Sequence, residues 1–496
     1  MRTSRFVALG VAIFLLAAAG STWAPCPAWA DQPAADSDAP AAATETKPAV
    51  AAYHEALRPQ FHFTPRKNWT NDPNGLVYYD GEYHLFFQHN PHGINWGNMT
   101  WGHAVSKDLV HWQQLEHAIL PDELGTIFSG SAVVDENNTA GFQTGEHKVI
   151  VAAYTYAGDF GTPKRPFTQA IAYSNDRGRT FTKFEGNPVV DHILAANRDP
   201  KVFWHAASGK WIMALYLDVG KFVLLGSPDL KEWTKLSDVA FPKGHECPEF
   251  FELPVDGNAD DTRWVFWEGG GRHLIGRFDG TTFTPESEVL RSEWGTNCYA
   301  GQTWNNVPDD DGRRIFIAWM RGGQYPEMPF NQQMTVPREF TLRTTHDGVR
   351  LFAMPVAEIE QLREQRHEWK SEPLAVGENP LADIKGDLFD IDLAIRPGEA
   401  ESIELDIRGQ KIRYDVAKGE LSRRDRVAPL PLDDGLLTLR VLVDRTSIEV
   451  FANGGRVVMS YCFVPAADNK SLSLTARGGS AQIESLDVYE LRSIWE

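Results

Sequence analysis

Short runs of β-branched and aromatic residues, each ended by glycine, asparagine, aspartate or proline, follow one another from about Leu57 to Leu351. Such runs predict β-strands joined by tight turns. No amphipathic helical pattern of useful length lies among them, which argues against an alternating β/α architecture. The clearest runs are GLVYY from Gly75, YHLFF from Tyr83, VIVAA from Val149, WIMALY from Trp211, WVFW from Trp264 and IFIAW from Ile315.

A weak internal repeat makes this prediction more specific. Ser-x-Asp followed by an aromatic residue recurs at Ser106, Ser174 and Ser227, and the stretch from Phe278 to Phe283 is a degenerate relative. Taken singly, each copy could be a common turn. Their intervals of roughly 50 to 70 residues suit four-stranded sheets arranged radially, so together they favour the blades of a β-propeller.

A second kind of region follows one short helical pattern at Val356–Leu362. Polar and apolar residues then alternate cleanly in stretches that begin at Leu388, Ser402 and Leu437, and Asn453-Gly454 is typical of a tight hairpin. About seven such strands without a helix predict an antiparallel β-sandwich.

The first 30 residues are typical of an export signal. Arg2 and Arg5 precede an apolar run, and Ala28-Trp29-Ala30 has the small-x-small form of a cleavage site. A membrane anchor is the alternative, but the run is short for a span. We expect cleavage after Ala30, no membrane insertion of the mature protein, and a secreted or periplasmic location. Residues 31–56, rich in alanine, proline and aspartate, predict a flexible leader.

The composition indicates which classes of binding partner the chain can have. A formal net charge of −19 argues against nucleic acid and against anionic membranes as partners. Sixteen tryptophans suit a neutral sugar, because aromatic rings stack on sugar C–H faces, although core packing explains most of them. After signal removal only Cys247, Cys298 and Cys462 would remain, and so small and odd a number argues against a disulfide framework. The stretch Asp309–Gly312 lacks the spaced ligands of a calcium loop, and we expect no metal and no cofactor.

Three acidic motifs each hold a carboxylate in a constrained backbone setting. Pro73 and the turn residues after it restrict the backbone around Asp72. Arg198 precedes Asp199 and can keep its carboxylate ionised. Glu246 comes just before a strand-like run. Taken singly, a hairpin turn or a surface ion pair explains these motifs as well as a catalytic role does.

Together these motifs resemble glycoside hydrolase family 32, the β-fructosidases that include invertases, inulinases and levanases. The match covers about residue 57 to the end of the chain. It runs in order through WTNDPNG from Trp69, FFQ from Phe86, NWGNM from Asn95, FSGS from Phe128, RDP from Arg198, ECP from Glu246, AWM from Ala318 and VDRTSIEVF from Val443.

The resemblance implies an all-β fold, a five-bladed β-propeller catalytic domain followed by a C-terminal β-sandwich, in agreement with the repeat and the alternation. We expect the propeller over residues 57–354, a linker helix over 355–370 and the sandwich over 371–496.

The resemblance also implies catalytic roles: Asp72 as nucleophile, Glu246 as general acid/base and Asp199 as transition-state stabiliser. These roles suit fructoside cleavage, in which positive charge builds on the sugar. We expect a retaining mechanism, with the Asp72 and Glu246 carboxyl groups about 5 to 5.5 Å apart. Partial burial and the neighbouring carboxylates should raise the pKa of Glu246.

Eight motif residues are similar to the family's sugar-binding set, and a purely structural role stays open for Trp96 and Trp319. Two positions depart from the family pattern: Asn297 stands where aspartate is frequent, and Glu249 follows Cys247-Pro248 where aspartate is usual. The first departure leaves chain-length and linkage preference open. The eight are Trp69, Asn71, Gln88, Trp96, Phe128, Ser129, Arg198 and Trp319.

These observations lead to one expected function and two alternatives. We expect an exported, monomeric exo-acting β-fructosidase with fructan (levan or inulin) or sucrose as its substrate. The alternatives are a sucrose-preferring invertase or fructosyltransferase of the same family, and a carbohydrate-binding propeller without activity.

Overall fold

The computed structural model describes residues 53–495, which are almost entirely β-structure. The predicted signal peptide and most of the predicted leader lie outside this range. The last part of the leader, residues 53–56, does not fit the prediction of flexibility. Tyr53 stacks on Trp495 with ring centroids 4.1 Å apart, and the buried Glu55 accepts a hydrogen bond from Arg58 (2.6 Å). An aromatic ring and a paired carboxylate give this short segment tertiary contacts.

Strands β1 to β22 form five blades, as the resemblance predicted. Blade one contains β1 (Asn68–Tyr79), β2 (Glu82–Asn90), β3 (Thr100–Ser106) and β4 (Gln113–Gln114). Blade two contains β5 (Thr126–Asp135), β6 (Val149–Ala157), β7 (Thr168–Ser174) and β8 (Thr182–Lys183). Blade three contains β9 (Arg198–His205), β10 (Lys210–Asp218), β11 (Lys221–Ser227) and β12 (Thr234–Ala240).

Blades four and five share one continuous sheet, joined by parallel pairing between β13 and β21. Blade four contains β13 (Glu249–Val255), β14 (Asn258–Trp267), β15 (Arg272–Phe278), β16 (Phe283–Pro285) and the short β17 (Leu290–Arg291). Blade five contains β18 (Tyr299–Thr303), β19 (Arg314–Trp319), β21 (Arg338–Thr345) and β22 (Gly348–Pro355). β20 (Phe330–Asn331) pairs with β1 and so links blade five to blade one.

The sequence repeat corresponds to one corner of each blade, where the third strand turns into the fourth. Ser106 donates to Asp108 (3.1 Å), Ser174 to Asp176 (2.7 Å) and Ser227 to Asp229 (3.2 Å). The degenerate copy occupies the same place in blade four, between β15 and β16. Asp and Ser side chains commonly stabilise turns by hydrogen bonds to nearby backbone or to each other. The turns recur in the sequence because they occupy the same corner in successive blades.

The remaining strands form two packed sheets, the C-terminal β-sandwich. One sheet has the order β23-β33-β24-β29-β30-β31 and the other β28-β27-β26-β25-β32, around a shared apolar core. The predicted hairpin at Asn453-Gly454 joins β30 to β31. The strands are β23 (Arg363–Leu374), β24 (Phe389–Arg396), β25 (Ser402–Ile407), β26 (Gln410–Asp415), β27 (Glu420–Arg423), β28 (Arg426–Pro429), β29 (Leu437–Val443), β30 (Ser447–Ala452), β31 (Val457–Cys462), β32 (Leu472–Arg477) and β33 (Ala481–Leu491).

Two details of the sequence prediction for this region are wrong. The sandwich has eleven strands in the described residues instead of about seven, because β26, β27 and β28 are short and rich in charge. The linker helix is confined to a 3-10 helix, η3 (Ala357–Leu362), while residues 363–374 form β23. β23 is an edge strand that pairs only with β33 among the described strands, so its charged residues face solvent and mimic helix formers. The other 3-10 helices are η1 (Gly158–Phe160) and η2 (Ala206–Ser208).

A buried charge network joins the sandwich to the propeller. His62 contacts Asp444 (2.7 Å) through Nδ1 and Glu449 (2.7 Å) through Nε2. Arg338 of β21 pairs with Glu449 and with Glu293 (2.8 Å). Burial alone would lower the pKa of His62, but the two carboxylates outweigh burial and raise it to about 9. The family-like stretch from Val443 to Phe451 thus supplies two carboxylates to this interface.

No helix among residues 53–495 combines the length and the hydropathy that a membrane span requires.

Candidate active site

The innermost strands of the blades, β1, β5, β9, β13 and β18, lie around the propeller axis, and most of them are irregular near the same place. Register shifts occur in β1, in β5 and in β18, and between β10 and β9. Asp199, Cys247 and Ala300 have left-handed backbone, with φ of 63°, 60° and 54°. Such bulges and turns redirect side chains away from regular alternation. They direct polar groups of several blades toward one another.

Three carboxylates approach one another at the axis. Asp199 Oδ2 accepts a hydrogen bond from the Cys247 backbone N–H (3.2 Å) and lies 3.4 Å from Cys247 Sγ. The same sulfur lies 3.7 Å from Asp72 Oδ2. Arg198 Nε is 3.7 Å from Asp199 Oδ2, and Arg198 Nη2 is 3.5 Å from Glu246 Oε2. Cys247 and Arg198 therefore gather all three predicted catalytic carboxylates.

The Asp72 carboxylate is held at both oxygens. Ser129 Oγ donates to Oδ2 (2.6 Å), and Asn71 Nδ2 donates to Oδ1 (3.1 Å). The indole N–H of Trp69 donates to Asn71 Oδ1 (2.8 Å), which orients the Asn71 amide. Gly75 closes the turn that follows: its φ is +55°, and a Cβ there would lie 2.6 Å from a buried phenylalanine ring. The orientation of Asp72 is thus determined by its own strand and by β5.

Aromatic rings form two walls of the site. In the first wall, Trp319 packs edge-on against Trp69 (centroids 6.0 Å apart) and Tyr299 (6.4 Å). In the second wall, Trp96 packs edge-on against Phe128 (5.9 Å). Aromatic walls of this kind exclude water and can stack on sugar faces.

Gln88 lies deeper than the other predicted sugar-binding residues. Its side chain is buried, and Nε2 donates to the carbonyl oxygen of Ile127 (3.0 Å), which connects β2 to β5. The other seven flank the carboxylates: Asn71 and Ser129 contact Asp72, Arg198 contacts Asp199 and Glu246, and Trp69, Trp96, Phe128 and Trp319 form the walls.

The electrostatics of the unliganded site differ from the sequence-based expectation. Burial raises the pKa of Asp72, and burial with the two other carboxylates raises the pKa of Asp199 to about 7 against the opposing charge of Arg198. For Glu246, burial would also raise the pKa, but the Arg198 charge and a hydrogen bond from the Tyr299 hydroxyl (2.7 Å) outweigh it. The pKa of Glu246 is therefore lowered. The prediction of a raised value was wrong because a cation and a hydroxyl donor are its nearest partners.

A buried ion pair lies beneath the carboxylates. Lys201 Nζ is 2.9 Å from Glu249 Oε1, and both side chains are almost fully excluded from solvent. Glu249 also accepts hydrogen bonds from the backbone N–H (2.9 Å) and the hydroxyl (3.0 Å) of Thr303. The pair links β9, β13 and β18, which carry or adjoin Asp199, Glu246 and Tyr299. Glu249, a departure in the sequence motif, thus ties three blades together.

Sequence reasoning missed Tyr299 and Cys247 as parts of the site. Cys247 lay inside the Glu-Cys-Pro motif, which could have identified it. Tyr299 lay in a stretch that was noted only as a departure from the family pattern. Its partner Glu246 is 53 positions earlier in the chain, so no local pattern connects the two.

No grouping of three or more histidine, cysteine, aspartate or glutamate side chains in residues 53–495 could hold a metal ion.

Comparison with known proteins identifies the chain. The model of the glycosyl hydrolases family 32 N-terminal domain matches residues 62–355, and the model of the family 32 C-terminal domain matches residues 358–490. The levanase of Bacillus subtilis (strain 168) is 41% identical over 490 residues, which cover 89% of this chain and 72% of that protein. The extracellular exo-inulinase of Aspergillus awamori is 32% identical over 518 residues, which cover 89% of this chain and 96% of that protein.

Solved structures agree with this result. The crystal structure of exo-inulinase from Aspergillus awamori superimposes with a TM-score of 0.81 at 31% identity, covering 89% of this chain and 100% of that one. A fructofuranosidase from Schwanniomyces occidentalis, solved in complex with fructose, gives a TM-score of 0.79 at 30% identity, covering 89% of this chain and 100% of that one.

The two domain matches and these relatives define a glycoside hydrolase. The chain belongs to glycosyl hydrolase family 32, and within it to the β-fructosidases. The resemblance seen in the sequence is confirmed.

Proposed function

We propose that this protein is an exported, monomeric exo-acting β-fructosidase that releases terminal fructose from levan and inulin and also cleaves sucrose. The proposal is carried by the convergence of Asp72, Asp199 and Glu246 on Arg198 and Cys247. Relatives described as levanase and extracellular exo-inulinase support the polymer substrates and the location. For the domains we propose a propeller over 57–354, a linker reduced to η3, and a sandwich that begins with β23 at Arg363 instead of at residue 371.

The first chemical step forms a covalent intermediate. Asp72 attacks the anomeric carbon of the terminal fructosyl unit, and the bond from that carbon to the leaving oxygen breaks as Glu246 protonates the oxygen. The hydrogen bonds from Ser129 and Asn71 hold the Asp72 carboxylate in position for attack. Positive charge that develops on the sugar ring is stabilised by ionised Asp199.

The second step releases fructose. Glu246, now ionised, takes a proton from water, and the resulting hydroxide attacks the anomeric carbon and displaces Asp72. Two displacements at one carbon retain its configuration. An acceptor hydroxyl in place of water would give fructosyl transfer.

The lowered pKa of Glu246 favours its ionised form. The second step needs this form, because Glu246 then acts as a base. The first step needs a protonated Glu246, and the three coupled carboxylates share their protons as a group. We propose that the leaving oxygen of a bound substrate displaces the Arg198 and Tyr299 contacts of Glu246. Glu246 then takes up the proton that Asp72 and Asp199, whose pKa values are raised, held before, and this leaves both aspartates ionised.

Replacement of Tyr299 by phenylalanine tests this account through pH. The Tyr299 hydroxyl stabilises ionised Glu246, so Tyr299→Phe should raise the pKa of Glu246. Activity requires a protonated Glu246, so it falls as the pH rises and the coupled carboxylates lose the proton that they share. The alkaline limb of kcat/KM should therefore move to higher pH. The measurement is kcat/KM on sucrose between pH 4 and 9.

Tyr216→Phe is the matched control. The Tyr216 ring lies over the Arg198 guanidinium, 4.8 Å from ring centroid to Cζ, but its hydroxyl makes no hydrogen bond to Glu246. The alkaline limb of kcat/KM should lie at the same pH in Tyr216→Phe as in the parent protein. A limb that is unmoved or shifted to lower pH in Tyr299→Phe would contradict the proposed state of Glu246.

Product analysis tests the proposed function itself. The purified protein is incubated with levan, inulin and sucrose, and the products are separated over time. Free fructose as the steady product from all three substrates is the expected result. Short oligosaccharides from the polymers would show endo action, and activity confined to sucrose, or fructosyl transfer as the main reaction, would favour an invertase or a fructosyltransferase. A protein that binds fructan and releases no sugar would be a binding propeller.

A further inference from the structure

A surface cleft of about 370 Å³ opens beside the candidate active site in blades two and three. Its lining comes from two stretches, residues 159–167 between β6 and β7 and residues 192–196 before β9. This volume lies in the range of small-molecule sites, about 300 to 1,000 Å³. No role in the mechanism above uses these residues. We call this feature the distal cleft.

The distal cleft shares walls with the active site. The Phe167 ring packs edge-on against Phe128, with centroids 5.7 Å apart, and Phe128 precedes Ser129, which bonds Asp72. On the other side, the carbonyl oxygen of Ala196 accepts a hydrogen bond from Arg198 Nη1 (2.6 Å). The distal cleft therefore adjoins the candidate active site at Phe128 and at Arg198.

The cleft carries polar groups that can bind hydroxyls. The Arg165 guanidinium makes no ion pair or hydrogen bond with any residue in the described part of the chain. His192 Nδ1 donates to the carbonyl oxygen of Phe167 (3.3 Å), which leaves Nε2 for another partner. Lys164 and Asp159, 3.3 Å apart and largely exposed, add a donor and an acceptor. Both signs of charge are present, which suits a neutral ligand with many hydroxyls.

The rim of the cleft is apolar. Phe160 is 51% exposed and continues the second aromatic wall, because its ring centroid lies 5.3 Å from that of Trp96 and 5.4 Å from that of Phe128. Ile193 and Leu194 on the facing stretch are 43% and 40% exposed. Sugars present C–H faces beside their hydroxyls, so an exposed aromatic ring next to free polar groups matches their two kinds of surface.

We propose that the distal cleft is a subsite for fructan chains and binds sugar units beyond the one that adjoins the scissile bond. The assignment rests on the proposed function and specifies how polymer is distinguished from sucrose. Sucrose has one sugar beyond the scissile bond and ends before the cleft. A fructan whose terminal unit lies between Asp72 and Glu246 continues along Phe128 and Phe160 into it.

Arg165→Ala and Phe160→Ala, singly and together, test the assignment. In the parent protein, kcat/KM should rise with chain length through fructo-oligosaccharides of two to six units and then level. Arg165→Ala should lose about threefold to tenfold in kcat/KM on inulin or levan, while its kcat/KM on sucrose stays within about twofold. The double variant should lose at least as much on the polymers. In both variants kcat/KM should rise less with chain length than in the parent protein. Arg165→Ala is the sharper single variant, because the Arg165 side chain does not contact the aromatic wall.

Matched controls come from the sandwich: Arg424→Ala removes an exposed arginine and Val427→Ala an exposed apolar side chain. Neither should change the ratio of polymer to sucrose activity. Calorimetric titration of a six-unit fructo-oligosaccharide into Asp72→Ala, with and without the cleft substitutions, gives a second measure in which affinity should fall by a similar factor. Equal losses on sucrose and polymer, or no loss on polymer, would overturn the subsite. A parent protein that releases no fructose from any substrate would instead refute the proposed function.

Discussion

Asp72→Ala should lower kcat on sucrose and on fructan by about 10⁴-fold or more while the protein stays folded. In the proposed mechanism the Asp72 carboxylate forms the bond to the anomeric carbon, and neither Asp199 nor Glu246 is positioned by the Ser129 and Asn71 hydrogen bonds that hold it. Alanine also removes a half-buried carboxylate whose pKa desolvation raises, so the fold should not lose stability from the change. Initial rates with and without variant protein at high concentration measure the loss.

Folding and specificity have separate controls. Thermal unfolding should occur at or above the parent temperature for Asp72→Ala. Asp309→Ala, at an exposed turn of blade five, should retain parent activity. Asp72→Asn keeps the shape and the neighbours of the side chain and should be nearly as inactive as alanine. Activity within tenfold of the parent in either Asp72 variant would remove Asp72 from the role of nucleophile.

A covalent intermediate gives independent support for the same role. Rapid acid quench during turnover, followed by digestion and mass spectrometry, should find one added fructosyl group on the peptide that contains Trp69 to Gly75. A fructosyl group on a different peptide would assign the nucleophile elsewhere. Absence of any adduct together with an inverted product would reject the double displacement.

Much of the fold could be predicted from the sequence because its periodicity is local. Alternation and turn residues identified the strands of both domains, and the Ser-x-Asp turns marked corresponding corners of three blades. β23 was missed because an edge strand has little apolar surface to reveal it, and its charged residues match a helix equally well. The short charged strands of the sandwich escaped for the same reason.

The site was predictable only as far as its motifs extend. Asp72, Asp199 and Glu246 each lie in a short constrained motif, and the family resemblance brought the three together. The state of Glu246 depends on contacts that no motif contains: Tyr299 from blade five and the Arg198 side chain, which reaches Glu246 as well as its neighbour Asp199. A charged side chain affects whichever carboxylate the fold brings near, so the raised pKa of Glu246 that we expected from burial and the neighbouring carboxylates had the wrong direction.

The buried ion pairs that support the site could not be predicted from the sequence either. Lys201 and Glu249 follow two of the predicted catalytic motifs, yet their pairing depends on the spacing of β9 and β13 around the axis. His62 and Arg338 contact the sandwich carboxylates Asp444 and Glu449, which lie between 111 and 387 positions away in the sequence. Contacts of this kind arise from the closed ring of blades and its packing on the sandwich, which local pattern does not encode.

Glu246→Ala should lower kcat on sucrose by about 10²-fold to 10⁴-fold, because the departing oxygen then leaves without a proton donor. The loss should be much smaller on fructosyl fluoride, whose fluoride departs without protonation. With that substrate the first step still runs, and the intermediate on Asp72 waits for a nucleophile that Glu246 can no longer activate. Added azide needs no deprotonation, so it should accelerate turnover and yield fructosyl azide of retained configuration.

The contrast between the two substrates separates an acid/base from a residue that only shapes the pocket. Glu252→Ala, an exposed position on β13 close in sequence to Glu246, is the matched control and should behave as the parent with both substrates and with azide. Equal losses on sucrose and fructosyl fluoride, without azide rescue, would mean that Glu246 positions the sugar or supports the site. Rescue by azide would assign Glu246 a role in proton transfer. Azide can replace the activated water, but it cannot restore a lost packing contact. Retained configuration in the azide product further requires that a second group, here Asp72, had already displaced the leaving group from the opposite face.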